Sequence, residues 1–122
     1  MIYMLLTHLD EKAWQSLSEA EREANMAEPM RYVQQLITSG KFLGGAPLDP
    51  SSAASTVRWR DGKALVTDGP FAETREQVGG YTLVEARDQE EAIAMAAKFL
   101  GPAGVATIEV RRVAEMAGVP TH

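Results

Sequence analysis

The sequence contains no cysteine and only two histidines among its 122 residues. Without cysteine, disulfides, thiolate nucleophiles and thiolate metal sites are all excluded. His8 and His122 are isolated from each other in sequence and do not supply the ligand cluster that a transition metal requires. We therefore expect no metal site and no cofactor. A cysteine-free composition also favours a reducing cytoplasm as the location of the protein.

Positive charge and long apolar runs are also scarce. The net charge of -5 gives no long-range attraction for phosphate backbones, so we expect no direct contact with nucleic acid. No apolar run approaches the roughly 20 residues of a membrane helix, and the start MIYMLLTHLD lacks a basic leader. We expect no membrane partner. With 45% hydrophobic and 24% charged residues, the composition predicts a single soluble domain over residues 1–122.

One long helix is predicted in the first half of the chain. Ser18 and Glu21 have the spacing of a capping box, which predicts that the helix begins there, and Gly40 predicts its end. Pro29 lies inside this segment and cannot donate a backbone hydrogen bond, which predicts a kink or a break near Glu28. Apolar residues at steps of three and four predict a stripe that covers a sheet. The stripe consists of Met26, Met30, Val33 and Ile37.

Apolar patterning predicts the strands and a second helix. Ile2 to Thr7 is apolar on both alternating faces, which is typical of a central strand covered on both sides. Asp88 can cap a helix with an apolar face. That face consists of Ala92, Ile93, Ala96 and Phe99. The other predicted strands are Lys41 to Leu43, which leads into a bend at Gly44 to Pro47, then Tyr81 to Glu85, and Val105 to Val113.

A hairpin is predicted around Asp61 and Gly62, because this dipeptide tolerates the positive φ angles of a type I′ turn. Pairing Arg60 with Lys63 creates one apolar face. That face consists of Val57, Trp59, Ala64 and Val66. The order of elements predicts an α+β fold, a ferredoxin-like plait with an inserted β-hairpin. Two helices cover one face of such a sheet, so we expect a homodimer to cover the other.

The segment DGPFAETREQVGGY, from Asp68 to Tyr81, resembles the signature of the DGPF, or DGPFAETKE, branch of the YCII-related proteins, with Arg75 in place of Lys. Gly44 to Pro47 and Arg60 to Lys63 extend the resemblance, as do the opening and final strands. The resemblance implies a ferredoxin-like, dimeric α/β-barrel fold in bacterial proteins that mostly lack an assigned activity.

The same resemblance implies some possible functions. A His and an Asp have been proposed as a dyad at a cleft in this family, and one relative is a dehydrochlorinase of chlorinated hydroquinones. Some members are fused to, or encoded near, extracytoplasmic-function sigma factors. The position of the proposed His in the namesake branch is occupied here by Pro29.

Asp68 is the candidate catalytic residue. It follows an apolar pair and precedes Phe71, so its carboxylate could lie in a partly dry cleft and act as a general acid or base. Alternatively, Asp68 is a turn residue that accepts backbone hydrogen bonds. Gly69 and Pro70 shape a bent connector, and Phe71 is predicted to anchor it by burying its ring. Thr74 has the spacing from Gln77 that predicts a short helical turn.

Glu73 and Glu76 flank Arg75 and form either a pair of carboxylates for acid/base chemistry or a solvated or dimer-contact cluster. His8, at the end of the first strand, either reaches a cleft or is structural. We predict that these residues contribute to a ligand site together with the turn. The predicted ligand-binding residues are His8, Gly69, Pro70, Phe71, Glu73, Glu76 and Tyr81.

Two functions therefore follow from the sequence. The first is a homodimer whose intersubunit cleft binds an unknown small molecule, with acid/base chemistry at Asp68. The second is a non-enzymatic interaction or regulatory protein that associates with a sigma factor.

Overall fold

The computed structural model describes residues 1–115 and 117. His122, the second of the two histidines, therefore lies outside the described residues. Strands, helices and one 3₁₀ turn follow in an order that matches the predicted α+β class. The elements are β1 (Ile2–Asp10), α1 (Glu11–Ser16), α2 (Glu19–Thr38), β2 (Phe42–Pro47), the 3₁₀ turn (Ser51–Ala53), β3 (Ser55–Arg60), β4 (Lys63–Asp68), β5 (Glu76–Glu85), α3 (Gln89–Ala97) and β6 (Ala106–Arg112).

Four strands form one antiparallel sheet in the order β2-β5-β1-β6, and β3 pairs with β4 in a separate hairpin. This order is consistent with a ferredoxin-like α+β fold. β1 lies between β5 and β6, as its apolar sequence predicts. In the hairpin, Arg60 pairs with Lys63, and Asp61 and Gly62 have φ angles of 54° and 78°. The predicted register and the positive φ angles of the turn are both confirmed.

The core lies between one face of the sheet and the helices α2 and α3. Tyr3, Leu5 and Val84 come from the sheet and are almost fully buried. The helices and adjoining segments contribute Leu36, Ala86, Ala92, Met95 and Ala96. The opposite face consists of residues that alternate with the buried ones along β1 and β5. We call it the open face, and its central residues are Met4, Leu6, Tyr81 and Leu83. They are half-buried in the single chain, and no helix of the described residues packs on them.

Helix α2 begins as predicted, because Ser18 and Glu21 form the capping box. The predicted break near Glu28 is wrong, since the helix continues through Pro29 to Thr38. Loss of one backbone hydrogen bond at Pro29 is tolerated because the residue is buried against the rest of the fold.

The predicted apolar stripe of α2 is wrong by one residue. Its buried positions are Asn25, Pro29 and Leu36, whereas Met26, Met30 and Ile37 are exposed and Val33 is half-buried. The physical reason is a polar contact. Asn25 is only 5% exposed, and its Oδ1 accepts a hydrogen bond from the backbone N–H of Ala103 at 2.8 Å. A search for apolar residues does not identify Asn and Pro as core positions, so it misses two of the buried residues of α2.

The predicted bend at Gly44 to Pro47 is part of strand β2, which pairs with β5 on both sides of a register shift between Phe42 and Gly44. The close approach of the strands requires glycine at Gly45, because a Cβ there would lie 2.6 Å from the carbonyl oxygen of Tyr81. In α3, Ala92 and Ala96 are buried as predicted. Ile93 is exposed instead, and Met95 takes the buried position.

Candidate functional site

The loop of residues 69–75, which joins β4 to β5, carries most of the predicted site. Gly69 has a φ of 97°, in the left-handed region that favours glycine. Its N–H donates to the carbonyl of Ala54 at 2.7 Å, and its carbonyl accepts the hydroxyl of Thr56 at 2.8 Å. The loop is thereby tied to the start of β3, and the predicted need for glycine at this turn is confirmed.

The end of the loop differs from the prediction. Thr74 and Gln77 do not begin a helical turn, because Gln77 is already part of β5. The side-chain amide of Gln77 instead donates to the carbonyls of Ala72 and Thr74, at 2.8 and 3.1 Å. The side chain of Gln77 therefore stabilises a non-helical loop and does not cap a helix.

Phe71 does not anchor the loop by burial, so that prediction is wrong. Its side chain is 82% exposed, and its ring lies 5.9 Å from the guanidinium carbon of Arg58. The turn at Gly69 and Pro70 directs the ring away from the core and over this cation. Phe71 is consequently available to contact another molecule.

Two clefts flank the loop. The first, which we call the apolar cleft, has a volume of about 770 Å³ and lies between the loop, the segment of residues 48–57 and the ends of β1 and β5. Its apolar lining includes Leu48, Pro50, Val57, Phe71 and Val78. The charged or titratable groups in its lining are His8, Asp49 and Glu76. The apolar cleft thus combines a large apolar surface with few ionisable groups.

The second, which we call the polar cleft, has a volume of about 860 Å³ and lies between the loop, α1 and the 3₁₀ turn. Asp10 and Arg75 form an ion pair across it, with 2.9 Å between Oδ2 and Nε. Asp10 also caps α1 by accepting the N–H of Ala13, and this hydrogen bond and the one from Arg75 lower the pKa of Asp10. Glu11 accepts hydrogen bonds from the backbone and hydroxyl of Ser51.

His8 is held by a carboxylate at the edge of the apolar cleft. Its Nε2 lies 3.0 Å from Oε1 of Glu109, on the neighbouring strand β6. The second carboxylate oxygen of Glu109 accepts a hydrogen bond from Nε of Arg111 at 2.7 Å. These hydrogen bonds, first that of His8 and then that of Arg111, lower the pKa of Glu109. Glu109 is therefore a carboxylate at neutral pH.

The structure brings together some of the predicted site residues and separates others. His8, Pro70, Phe71 and Glu76 line the apolar cleft. Glu73 lines the polar cleft, which Pro70 also borders. Gly69 shapes the loop as described above.

Two predicted residues lie elsewhere. Asp68 is exposed at the end of β4. Tyr81 lies on the open face, opposite Leu6 of β1. Neither residue is among those that line the two clefts of the described chain.

Sequence reasoning did not identify Asp10, Glu109 or Arg111. The signal for Asp10 was present, since Asp followed by Glu is typical of a helix N-terminus. The pairing of His8 with Glu109 had no local signal, because the residues are 101 positions apart and meet only through the register of β1 and β6. Among residues 1–115 and 117, no group of three metal-ligating side chains converges. None of the described helices is long and apolar enough to span a membrane.

Comparison with known proteins places this fold and loop in a family. The model of the YCII-related domain matches residues 1–117. An uncharacterised protein of Rhizobium meliloti (strain 1021) is 36% identical over 93 residues, which cover 76% of this chain and 75% of that protein. Neither description names a reaction or a ligand. The chain belongs to the YCII-related domain family.

Proposed function

We propose that the protein is a homodimer that binds a small organic molecule in the apolar cleft. The observation that carries this proposal is the cleft itself. Its volume of about 770 Å³ falls within the range of roughly 300–1,000 Å³ that is usual for small-molecule sites. Its lining combines apolar side chains, among them the exposed ring of Phe71, with polar and titratable side chains that can orient a ligand.

The second copy is supported by two unpartnered apolar surfaces. One is the open face of the sheet. The other is the apolar face of the hairpin, where Val57, Trp59 and Val66 are 64%, 76% and 61% exposed. Contiguous apolar surface of this kind marks an interaction site in soluble proteins. A second copy offers the same surfaces in return, as a two-fold symmetric interface requires.

Asp68 has a place in this proposal through the dimer. Its carboxylate is exposed in one chain, whereas a general acid or base acts most effectively where desolvation has removed part of the surrounding water. We propose that a second copy supplies that desolvation. Association with a sigma factor stays a prediction.

Native mass spectrometry of the purified protein tests whether the cleft holds a ligand. Ala53 lines the apolar cleft, and Ala53→Trp fills it. Ala24→Trp is the matched control, because it adds the same bulk to an exposed position of α2. We expect a small molecule that accompanies the wild type and the control to be absent from Ala53→Trp. The proposal would be contradicted if the wild type, Ala53→Trp and Ala24→Trp all carried the same small molecules. It would also be contradicted if none of them carried a ligand.

A further inference from the structure

His8 and Glu109 define which nitrogen of the imidazole carries its proton. Glu109 is ionised at neutral pH, and a carboxylate can only accept hydrogen bonds. Nε2 of a neutral His8 must therefore carry the hydrogen that is donated to Oε1 at 3.0 Å. Nδ1 is then the atom with the free lone pair. Across residues 1–115 and 117, Nδ1 makes no hydrogen bond to another protein group.

The surroundings of His8 suit proton acceptance. The residue lines the apolar cleft, and its side chain is 29% exposed, so a ligand can reach the ring. An imidazolium formed there remains in contact with the carboxylate of Glu109, which Arg111 holds from the other side at 2.7 Å. A base that is itself oriented by a carboxylate is the arrangement on which general-base catalysis by histidine depends. The arrangement requires no metal or cofactor from outside the chain.

The charge of the cleft indicates the class of ligand. Asp49 and Glu76 contribute carboxylates, and within the described residues the lining contains no lysine or arginine. A ligand that enters as a carboxylate or phosphate would therefore meet like charge from Asp49 and Glu76. A neutral molecule with an apolar body meets no such penalty. Once it is bound, a proton transfer to His8 leaves the net charge of the cleft unchanged.

We propose that His8 is a general base that accepts a proton from a neutral, weakly acidic molecule with an apolar body, and that Glu109 and Arg111 position its imidazole. The O–H or N–H bond of the ligand breaks, its electron pair stays on the ligand, and the proton forms a new N–H bond at Nδ1. The products are a ligand anion and an imidazolium, with no change in oxidation state. This inference rests on the proposed binding of a small molecule in the apolar cleft.

4-Nitrophenol is a suitable probe, because its ionisation changes its visible absorbance. 4-Nitroanisole has the same ring without the acidic hydrogen, and benzoate is the anionic comparison. We expect bound 4-nitrophenol to absorb as the anion at a pH at which the free compound is mostly neutral. We expect the anion signal to be lost in His8→Gln and kept in the matched control His122→Gln. 4-Nitroanisole should bind the wild type and the control His122→Gln within about twofold of each other, and benzoate should bind the wild type at least about tenfold more weakly than 4-nitrophenol.

Glu109→Gln tests the positioning role. The amide cannot stabilise the imidazolium as the carboxylate does, so the pH at which bound 4-nitrophenol ionises should rise by about one unit while 4-nitroanisole binds as before. Should His8→Gln fail to fold, as judged by circular dichroism, Glu109→Gln carries the test. The assignment would be overturned by neutral 4-nitrophenol in the wild-type cleft, by equal ionisation in His8→Gln, or by preferred binding of benzoate. Failure of both 4-nitrophenol and 4-nitroanisole to bind would instead overturn the proposed function, and this assignment with it.

Discussion

The contact between Asn25 and Gly101 connects α2 to the segment between α3 and β6, and it allows a quantitative prediction. A Cβ atom at Gly101 would lie 2.2 Å from Oδ1, 2.4 Å from Cγ and 2.5 Å from Nδ2 of Asn25. All three distances are shorter than any real contact of a Cβ atom. Asn25 cannot rotate away without cost, because it is 5% exposed and holds the N–H of Ala103 at 2.8 Å. We therefore predict that Gly101→Ala is strongly destabilising.

The magnitude follows from two contributions. Overpacking of a buried site typically costs about 1–3 kcal/mol. Displacement of the Asn25 amide also removes its hydrogen bond to Ala103, which adds about 0.5–1.5 kcal/mol. We expect the free energy of unfolding of Gly101→Ala to fall by about 2–4 kcal/mol. Urea unfolding followed by circular dichroism measures this change, at one fixed protein concentration because dimerisation would contribute to stability.

A double-mutant cycle separates this explanation from a general intolerance of alanine at Gly101. Asn25→Ala removes the clashing atoms, at the cost of the hydrogen bond to Ala103. In the Asn25→Ala background, Gly101→Ala should cost less than in the wild type, by more than the roughly 0.5 kcal/mol of non-additivity that independent sites show. An equal cost of Gly101→Ala in both backgrounds would refute the reasoning, because the steric partner would then not be Asn25.

Three further predictions concern the sheet, the loop and the proposed base. Gly45→Ala should lower the free energy of unfolding by about 3 kcal/mol in urea titrations, because its Cβ would lie 2.6 Å from the backbone oxygen of Tyr81. Asp10→Asn should destabilise the protein at neutral pH. The pKa of Asp10 is lowered in the folded state. The difference in stability between the wild type and Asp10→Asn should therefore shrink as the pH falls through the lowered pKa. A difference in denaturation midpoint that does not depend on pH would contradict the ion pair with Arg75. Nitrogen-15 NMR at a pH where His8 is neutral should show Nε2 protonated and Nδ1 bare, and the opposite tautomer would contradict the pairing with its carboxylate.

Local signals explain why much of the fold was predictable. The capping box at Ser18 and the turn at Asp61 and Gly62 each depend on neighbouring residues, so their chemistry is visible in the sequence. The central position of β1 follows from its apolar residues on both faces. The buried side of α2 was not predictable, because it depends on Asn25 finding a partner 78 positions away.

The candidate site was only partly predictable for the same physical reason. Gly69 and the loop were identified from residue types that favour a bend. The outward direction of Phe71 depends on how the hairpin places Arg58, which no local pattern encodes. The partner of His8 depends on the register between β1 and β6. Contacts across strands therefore decide the chemistry of the cleft, whereas the bend at Gly69 is visible from the residue type.

The mass of the protein in solution tests the central claim most directly, because the proposed homodimer uses a second copy to cover the open face. Multi-angle light scattering at micromolar concentration should give the mass of two chains. Leu6→Glu, which places a charge at the centre of the open face, should give the mass of one. A wild-type mass of one chain would contradict the account.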